Sequence, residues 1–252
     1  MSLFCQKQSR WSIRYGFYSA IFLAVLLQPV VKAGDTDNRS NQNSSAPSEA
    51  NESPSDSHQT IHRFFKQRLD YVFQQLSTYP ERYKNAQALK SLAEQKIVDF
   101  WDLDATLLAL IGRTDWQQLS QKEKLDLRHS LRNTLVRYFM EAHEHYSGQP
   151  VVLEDVQLNH AMNKGWLTLR IVLDYMPDMK VDFNIVKVDN QWLFRDLRFQ
   201  GIRYTRMKRG FYQKMLKQLG AKQLAQQLSS KNTQYFESRG IQSVPTSQAL
   251  KH

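Results

Sequence analysis

Hydrophobic positions change their spacing twice along this chain, dividing it into a helical block, a strand block and a second helical block. In residues 61–77, Ile61, Phe64, Phe65, Leu69, Val72, Phe73 and Leu76 recur every three or four positions, the signature of an amphipathic helix. Tyr79-Pro80 ends it, because the residue before a proline is disfavoured in the helical region. A second helix is expected over about 81–99, through Ala86, Leu89, Leu92, Ala93 and Ile97, and a short one over 102–111, closed by Gly112. Ser120-Gln121-Lys122-Glu123 has the capping-box pattern, in which the Ser120 hydroxyl accepts from the third amide while Glu123 reaches back. A long helix therefore starts there, with Leu127, Leu131, Leu135, Tyr138 and Ala142 as its stripe, and Gly148 and Pro150 stop it.

After Pro150 the period becomes two. Leu167, Leu169, Ile171, Leu173 and Tyr175 point one way and Thr168, Arg170 and Asp174 the other, as in a half-buried antiparallel strand. Residues 151–160 supply the preceding strand across the Asn163-Lys164-Gly165 turn, and 180–188 with 191–199 form a hairpin around Asp189-Asn190. By the same alternation Asp196 falls on the side of Trp192 and Phe194, which suits a buried, hydrogen-bonded structural carboxylate. Beyond Gly201 the spacing is helical again, with Tyr204, Met207, Phe211, Met215 and Leu219 on one side, and Gly220 separates a last short helix ending near residue 228. The predicted fold is α+β: a curved antiparallel sheet of about four strands with helices packed on one face. Trp101, Trp116, Trp166 and Trp192 add aromatic bulk that fits either a plain core or an apolar cavity between the layers.

The first 33 residues carry Lys7, Arg10, Arg14 and Lys32 with no acidic residue, and residues 15–27 are an apolar run. This reads as a signal peptide cleaved after Ala33; the run is short for a membrane-spanning helix, which needs roughly 20 residues. The alternative is an uncleaved N-terminal anchor, and both place the rest of the chain outside the cytoplasm. Cys5, the single cysteine, precedes the apolar run, so the mature chain has no thiol and relies on its apolar core. Residues 34–60 contain no large apolar side chain and read as a disordered acidic tether, because such a segment cannot offset its ordering entropy by burial. The expected organisation is thus 1–33 signal, 34–60 tether, 61–230 folded domain and 231–252 flexible tail.

Charge sharpens the picture. From totals of 34 basic and 24 acidic residues, removing the four cations of the signal and the one Arg and five acids of the tether leaves 29 and 19 in residues 61–252. A folded part so basic outside the cytoplasm points to anionic lipid headgroups or an acidic partner protein rather than to nucleic acid. Scattered as they are, many of these charges also suit an ordinary solvated surface. The run Arg203, Arg206, Lys208, Arg209, Lys214, Lys217 is the densest.

Catalytic motifs are lacking. There is no Gly-x-Ser-x-Gly elbow, phosphate-cradling loop or dinucleotide fingerprint. His143-Glu144-His145 looks like a metal cluster, but two histidines two positions apart on a helix point roughly 200° from each other and cannot grip one ion. No enzyme activity, cofactor or metal is expected. A small pocket enzyme using Asp174 or Asp196, and a non-binding envelope scaffold, are the alternatives from other classes.

Several segments resemble the MlaC family: Val98-Asp99-Phe100 before Ile111-Gly112, the Ser120-to-Glu123 start, Val181-Asp182-Phe183, Gln191-Trp192-Leu193-Phe194-Arg195-Asp196 and Gly201-Ile202. Members are periplasmic phospholipid-binding proteins, also called toluene-tolerance auxiliary components of an ABC transport system. The resemblance covers roughly residues 62–230. It implies a lipid carrier that holds a phospholipid by its acyl chains and shuttles it between an inner-membrane ABC transporter complex and an outer-membrane lipoprotein complex, maintaining outer-membrane lipid asymmetry. Arg203 replaces the family's usual Ser, and Arg113-Thr114-Asp115-Trp116 replaces an aromatic pair, which leaves another lipid such as a hopanoid open as cargo. On this reading the candidate lining residues from the helices are Leu107, Leu131, Leu135, Met207 and Phe211. Those from the strands are Leu169, Ile171, Phe183, Ile185, Trp192 and Phe194. Arg203, Arg206 and Arg209 are the candidates for headgroup or partner contact, since arginine's planar donor fork suits either. Nothing resembles a coiled-coil seam, and a monomer is expected.

Overall fold

A computed structural model describes residues 54–242. The segment read as a signal, most of the acidic stretch and the end of the tail lie outside the described residues. Helix α1 (Pro54–Thr78) begins earlier than the apolar stripe, inside the stretch read as tether, at a residue type suited to a first helical turn. The single helix expected over 81–99 is two, α2 (Pro80–Tyr83) and α3 (Ala86–Lys96), because the Asn85 side chain accepts from the Ala88 amide at 3.0 Å and starts a new helix. A 3₁₀ turn (Val98–Phe100) leads into α4 (Leu103–Ile111), whose N-terminus Asp102 caps through the Ala105 amide.

Gly112, at φ +102°, turns the chain into the short α5 (Arg113–Gln118), which the hydrophobic spacing does not reveal. The long helix α6 (Gln121–His143) opens on the expected capping box, with both reciprocal bonds present. Strands β1 (Val151–Leu158), β2 (Lys164–Ile171), β3 (Met179–Val188) and β4 (Gln191–Phe199) follow as an antiparallel meander, and the Asp189-Asn190 turn takes the positive φ angles its residue types tolerate. A two-residue fifth strand, β5 (Ile202–Arg203), pairs with the end of β4.

Helix α7 (Tyr204–Glu237) bends at Gly220, where φ 79° and ψ 170° are open to glycine alone. It runs on past residue 230, where the sequence pattern suggested a loose tail, because Asn232, Phe236 and then Ile241 are buried. α6 and α7 pack together, and α4 lies against both. One contiguous core joins all of these helices to one face of the sheet. Val72, Leu107, Leu110, Leu127, Leu131, Leu167, Ile185 and Leu224 are fully enclosed in it, each stabilising the fold by about 1.5–3 kcal/mol.

Candidate functional site

The inner face of the sheet is set by register. Leu167 and Leu169 of β2 pair with Phe183 and Val181 of β3, and Ile185 pairs with Phe194 of β4, so these side chains project together toward the helices. Five aromatic rings meet there. Phe183 and Phe194 lie 5.2 Å apart, Trp101 lies 6.0 Å from Phe194 and 6.3 Å from Phe183, and Phe65 of α1 lies 5.7 Å from Phe194 and 6.1 Å from Trp192. Leu107 of α4 and Leu131 and Leu135 of α6 are buried in the same core, and Met207 and Phe211 of α7 are half-buried against it. Of the candidate lining residues only Ile171 stands apart: it is half-buried near the end of β2, between Val151 and Met179, and outside this core.

β4 is irregular where it carries the site. Asn184 pairs with Asp196 while Ile185 pairs with Phe194, leaving Arg195 as an extra, bulged residue. The alternation that would set Asp196 beside Trp192 and Phe194 therefore does not hold. Its carboxylate turns instead to Thr205, accepting from the amide (3.2 Å) and the hydroxyl (2.6 Å) and placing a negative charge at the N-terminus of α7. It is the buried, hydrogen-bonded structural carboxylate the sequence suggested, on a different neighbour.

The bulge is held from the side by the segment entering α4. The Asp102 amide donates to the Phe194 carbonyl (2.7 Å) and the Thr106 hydroxyl to the Arg195 carbonyl (2.6 Å). Trp101 Nε1 donates to Thr106 Oγ1 (2.9 Å), while the Arg195 guanidinium returns to Asp102 (2.9 Å). Sequence spacing missed this arrangement, because its partners come from opposite halves of the domain.

The proposed arginine trio divides between the end of β5, which holds Arg203, and the first turns of α7, which hold Arg206 and Arg209. Arg203 and Arg198 stack on Trp166 on the outer face of the sheet, 4.9 and 4.5 Å from the ring centre. Arg209 donates to the Ala109 carbonyl at the end of α4 (2.9 Å), and Arg206 is exposed. In His143-Glu144-His145, Glu144 accepts from the Tyr235 hydroxyl (3.0 Å) and from Arg239, and burial lowers the pKa of His143. Among the described residues no group of acidic, His or Cys side chains is arranged to hold a metal, and no helix is long and apolar enough to cross a membrane.

Comparison with known proteins gives a fold and a family. A solved phospholipid-binding protein from Ralstonia solanacearum, determined in complex with a phospholipid, superposes with a TM-score of 0.60 at 20% identity, covering 69% of this chain and 97% of that one. No curated protein matches the sequence. The family described as MlaC protein matches residues 66–230, from within α1 to beyond the bend of α7, and on that extent this chain belongs to the MlaC family.

Proposed function

We propose that this chain is a periplasmic lipid carrier that holds a phospholipid by its acyl chains and moves it between inner- and outer-membrane complexes of an ABC-type lipid transport system. The observation that carries the reading is the family match over residues 66–230. The shared fold with a protein solved with a phospholipid bound supports it.

The physical requirement is plain. At about 0.8 kcal/mol per buried methylene, exposing some thirty methylenes of two acyl chains to water costs on the order of 20 kcal/mol. A carrier needs an apolar enclosure between sheet and helices. Leu169, Phe183, Ile185, Trp192 and Phe194 supply the sheet side of such an enclosure. Leu107, Leu131, Leu135, Met207 and Phe211 supply the helix side, and Ile171 lies at its edge.

Arg203, Arg206 and Arg209 are assigned to contact with the lipid headgroup or with an acidic partner surface. Export through the segment at 1–33 delivers the protein to the compartment where both membranes are within reach. Any energy-consuming step belongs to the transporter partner, and the carrier itself needs no cofactor.

Native mass spectrometry of the exported, detergent-free protein, followed by organic extraction, tests the proposal. A phospholipid released at one per chain is the expected result. A lipid-free mass that persists after incubation with phospholipid vesicles contradicts it and favours a scaffold.

A further inference from the structure

Helix α7 faces solvent with its charges unanswered. The chain has no acidic residue between Asp196 and Glu237, the last residue of α7, and nine Lys and Arg fall between them. Along the outward side Arg206, Gly210, Lys214 and Lys217 follow one another at three- and four-residue steps, and all four are exposed. Among the described residues none of Arg206, Lys214 and Lys217 makes an ion pair. Other helices answer their cations locally: Lys66 pairs with Asp70 in α1, Lys90 with Glu94 in α3 and Lys122 with Asp126 in α6, each one turn on. Cations stacked at that spacing without an acid weaken a helix, so α7 carries a cost that its neighbours avoid.

Gly210 adds a second cost at the same place. It is helical and exposed, and a Cβ there would meet nothing within 4 Å. Neither a turn nor crowding calls for glycine at a position where alanine would make a more stable helix. Both costs fall on one exposed stripe, and neither serves packing within the fold. They leave a row of free cations with a notch between Arg206 and Lys214, where an anionic group can lie against two positive charges.

We propose that this stripe of α7 docks the protein on the surface of an anionic lipid bilayer. A protein partner is the poorer match, because protein interfaces are apolar at their centre and depleted in lysine, whereas the centre here is a glycine between cations. A bilayer rich in anionic lipid supplies dense negative charge and mobile headgroups that gather under each ammonium and guanidinium. The inference rests on the carrier reading for its purpose alone, and it narrows the headgroup contact of Arg206 to headgroups still in a membrane. Docking on this side leaves the core side of α7, where Tyr204 and Tyr212 are buried, undisturbed.

The test is co-sedimentation of the exported, detergent-free protein with vesicles of equimolar phosphatidylglycerol and phosphatidylcholine, and with vesicles of phosphatidylcholine alone. The expected result is roughly tenfold or more tighter binding to the anionic vesicles at low salt, fading as salt is raised. Arg206→Gln/Lys214→Gln/Lys217→Gln loses most of that preference. Lys66→Gln/Lys84→Gln/Lys122→Gln, which removes the same charge from exposed lysines elsewhere, keeps it. Gly210→Glu supplies the missing acid one turn from both Arg206 and Lys214, so Tm rises while binding to anionic vesicles falls, a combination that misfolding does not produce.

Equal binding of wild type to the two kinds of vesicle overturns the proposal and leaves an acidic protein as the occupant of the stripe. Equal loss of preference in the two triple variants, which would make it a property of net charge, overturns it as well, and so does a preference undiminished in the stripe variant. Native mass spectrometry of the same preparations keeps the two readings apart. Bound phospholipid without vesicle docking rejects this inference and retains the carrier, whereas docking without bound phospholipid retains the docking surface and rejects the carrier.

Discussion

The two faces of one sheet, built by the same strands, solve opposite problems. The inner face presents Leu167, Leu169, Phe183, Ile185 and Phe194 to the helices. On the outer face Glu154 pairs with Lys180 (2.8 Å) and Arg170 (3.7 Å), and Arg170 with Asp178 (2.8 Å). The same face continues with Asp182, which accepts from Thr168 (2.7 Å) and Arg198 (2.8 Å). Such solvent-facing pairs contribute little stability individually, but cross-strand pairs of opposite charge do fix which residues face each other. The contrast teaches a division of labour: burial on the inside holds the fold, while charged pairs on the outside keep register.

Breaking the inner face has the largest expected effect. Leu167→Asp puts an uncompensated charge at a fully enclosed position, and urea denaturation should show a loss of at least about 3–5 kcal/mol. Next comes the support of the β4 bulge. Thr106→Val removes the donor to the Arg195 carbonyl and the acceptor of Trp101 Nε1, and the same denaturation curve should shift by about 1–3 kcal/mol for each group left unpaired.

Alkaline pH probes the two buried tyrosines of α7. Burial raises the pKa values of Tyr204 and Tyr212 above the ordinary phenol value. Their protonated forms thus favour the folded state: that contribution is complete below about pH 10, the unfolded phenol value, and is lost as pH rises toward the folded-state values. Tm should fall with rising pH above about 10, and fall less steeply in Tyr204→Phe/Tyr212→Phe. The smallest effect belongs to the outer face. Glu154→Gln, at a half-exposed pair with Lys180, should change stability by less than about 1 kcal/mol and by less still in high salt.

Much of this was legible because it is local. The Ser120 capping box, the Asp189-Asn190 turn and the period-two strands depend on residues a few positions apart, and the structure has them where the spacing implied, except that β2 stops at Ile171, so that Leu173 and the exposed Tyr175 lie beyond it. The α2–α3 break was present in the sequence as Asn85, a capping residue type inside an otherwise helical stripe, and the stripe was the weaker signal.

Other features depend on distant partners. The bulge at Arg195 needs Trp101, Asp102 and Thr106 to hold it, and without them strict alternation misplaces Asp196. The extension of α7 is stabilised by Asn232, which donates to the Ser130 carbonyl and Thr134 of α6. For the site, the inner-face residues followed from alternation.

The most direct test of the carrier account uses neighbours on β2 that face opposite ways. Lipid content by native mass spectrometry is compared between Leu169→Trp, which adds bulk to the inner face, and Arg170→Trp, which adds it to the outer. The account predicts that both variants fold, that Leu169→Trp emerges without phospholipid and that Arg170→Trp keeps it. Equal lipid content in the two folded variants would contradict the claim that cargo is held between the inner face and the helices.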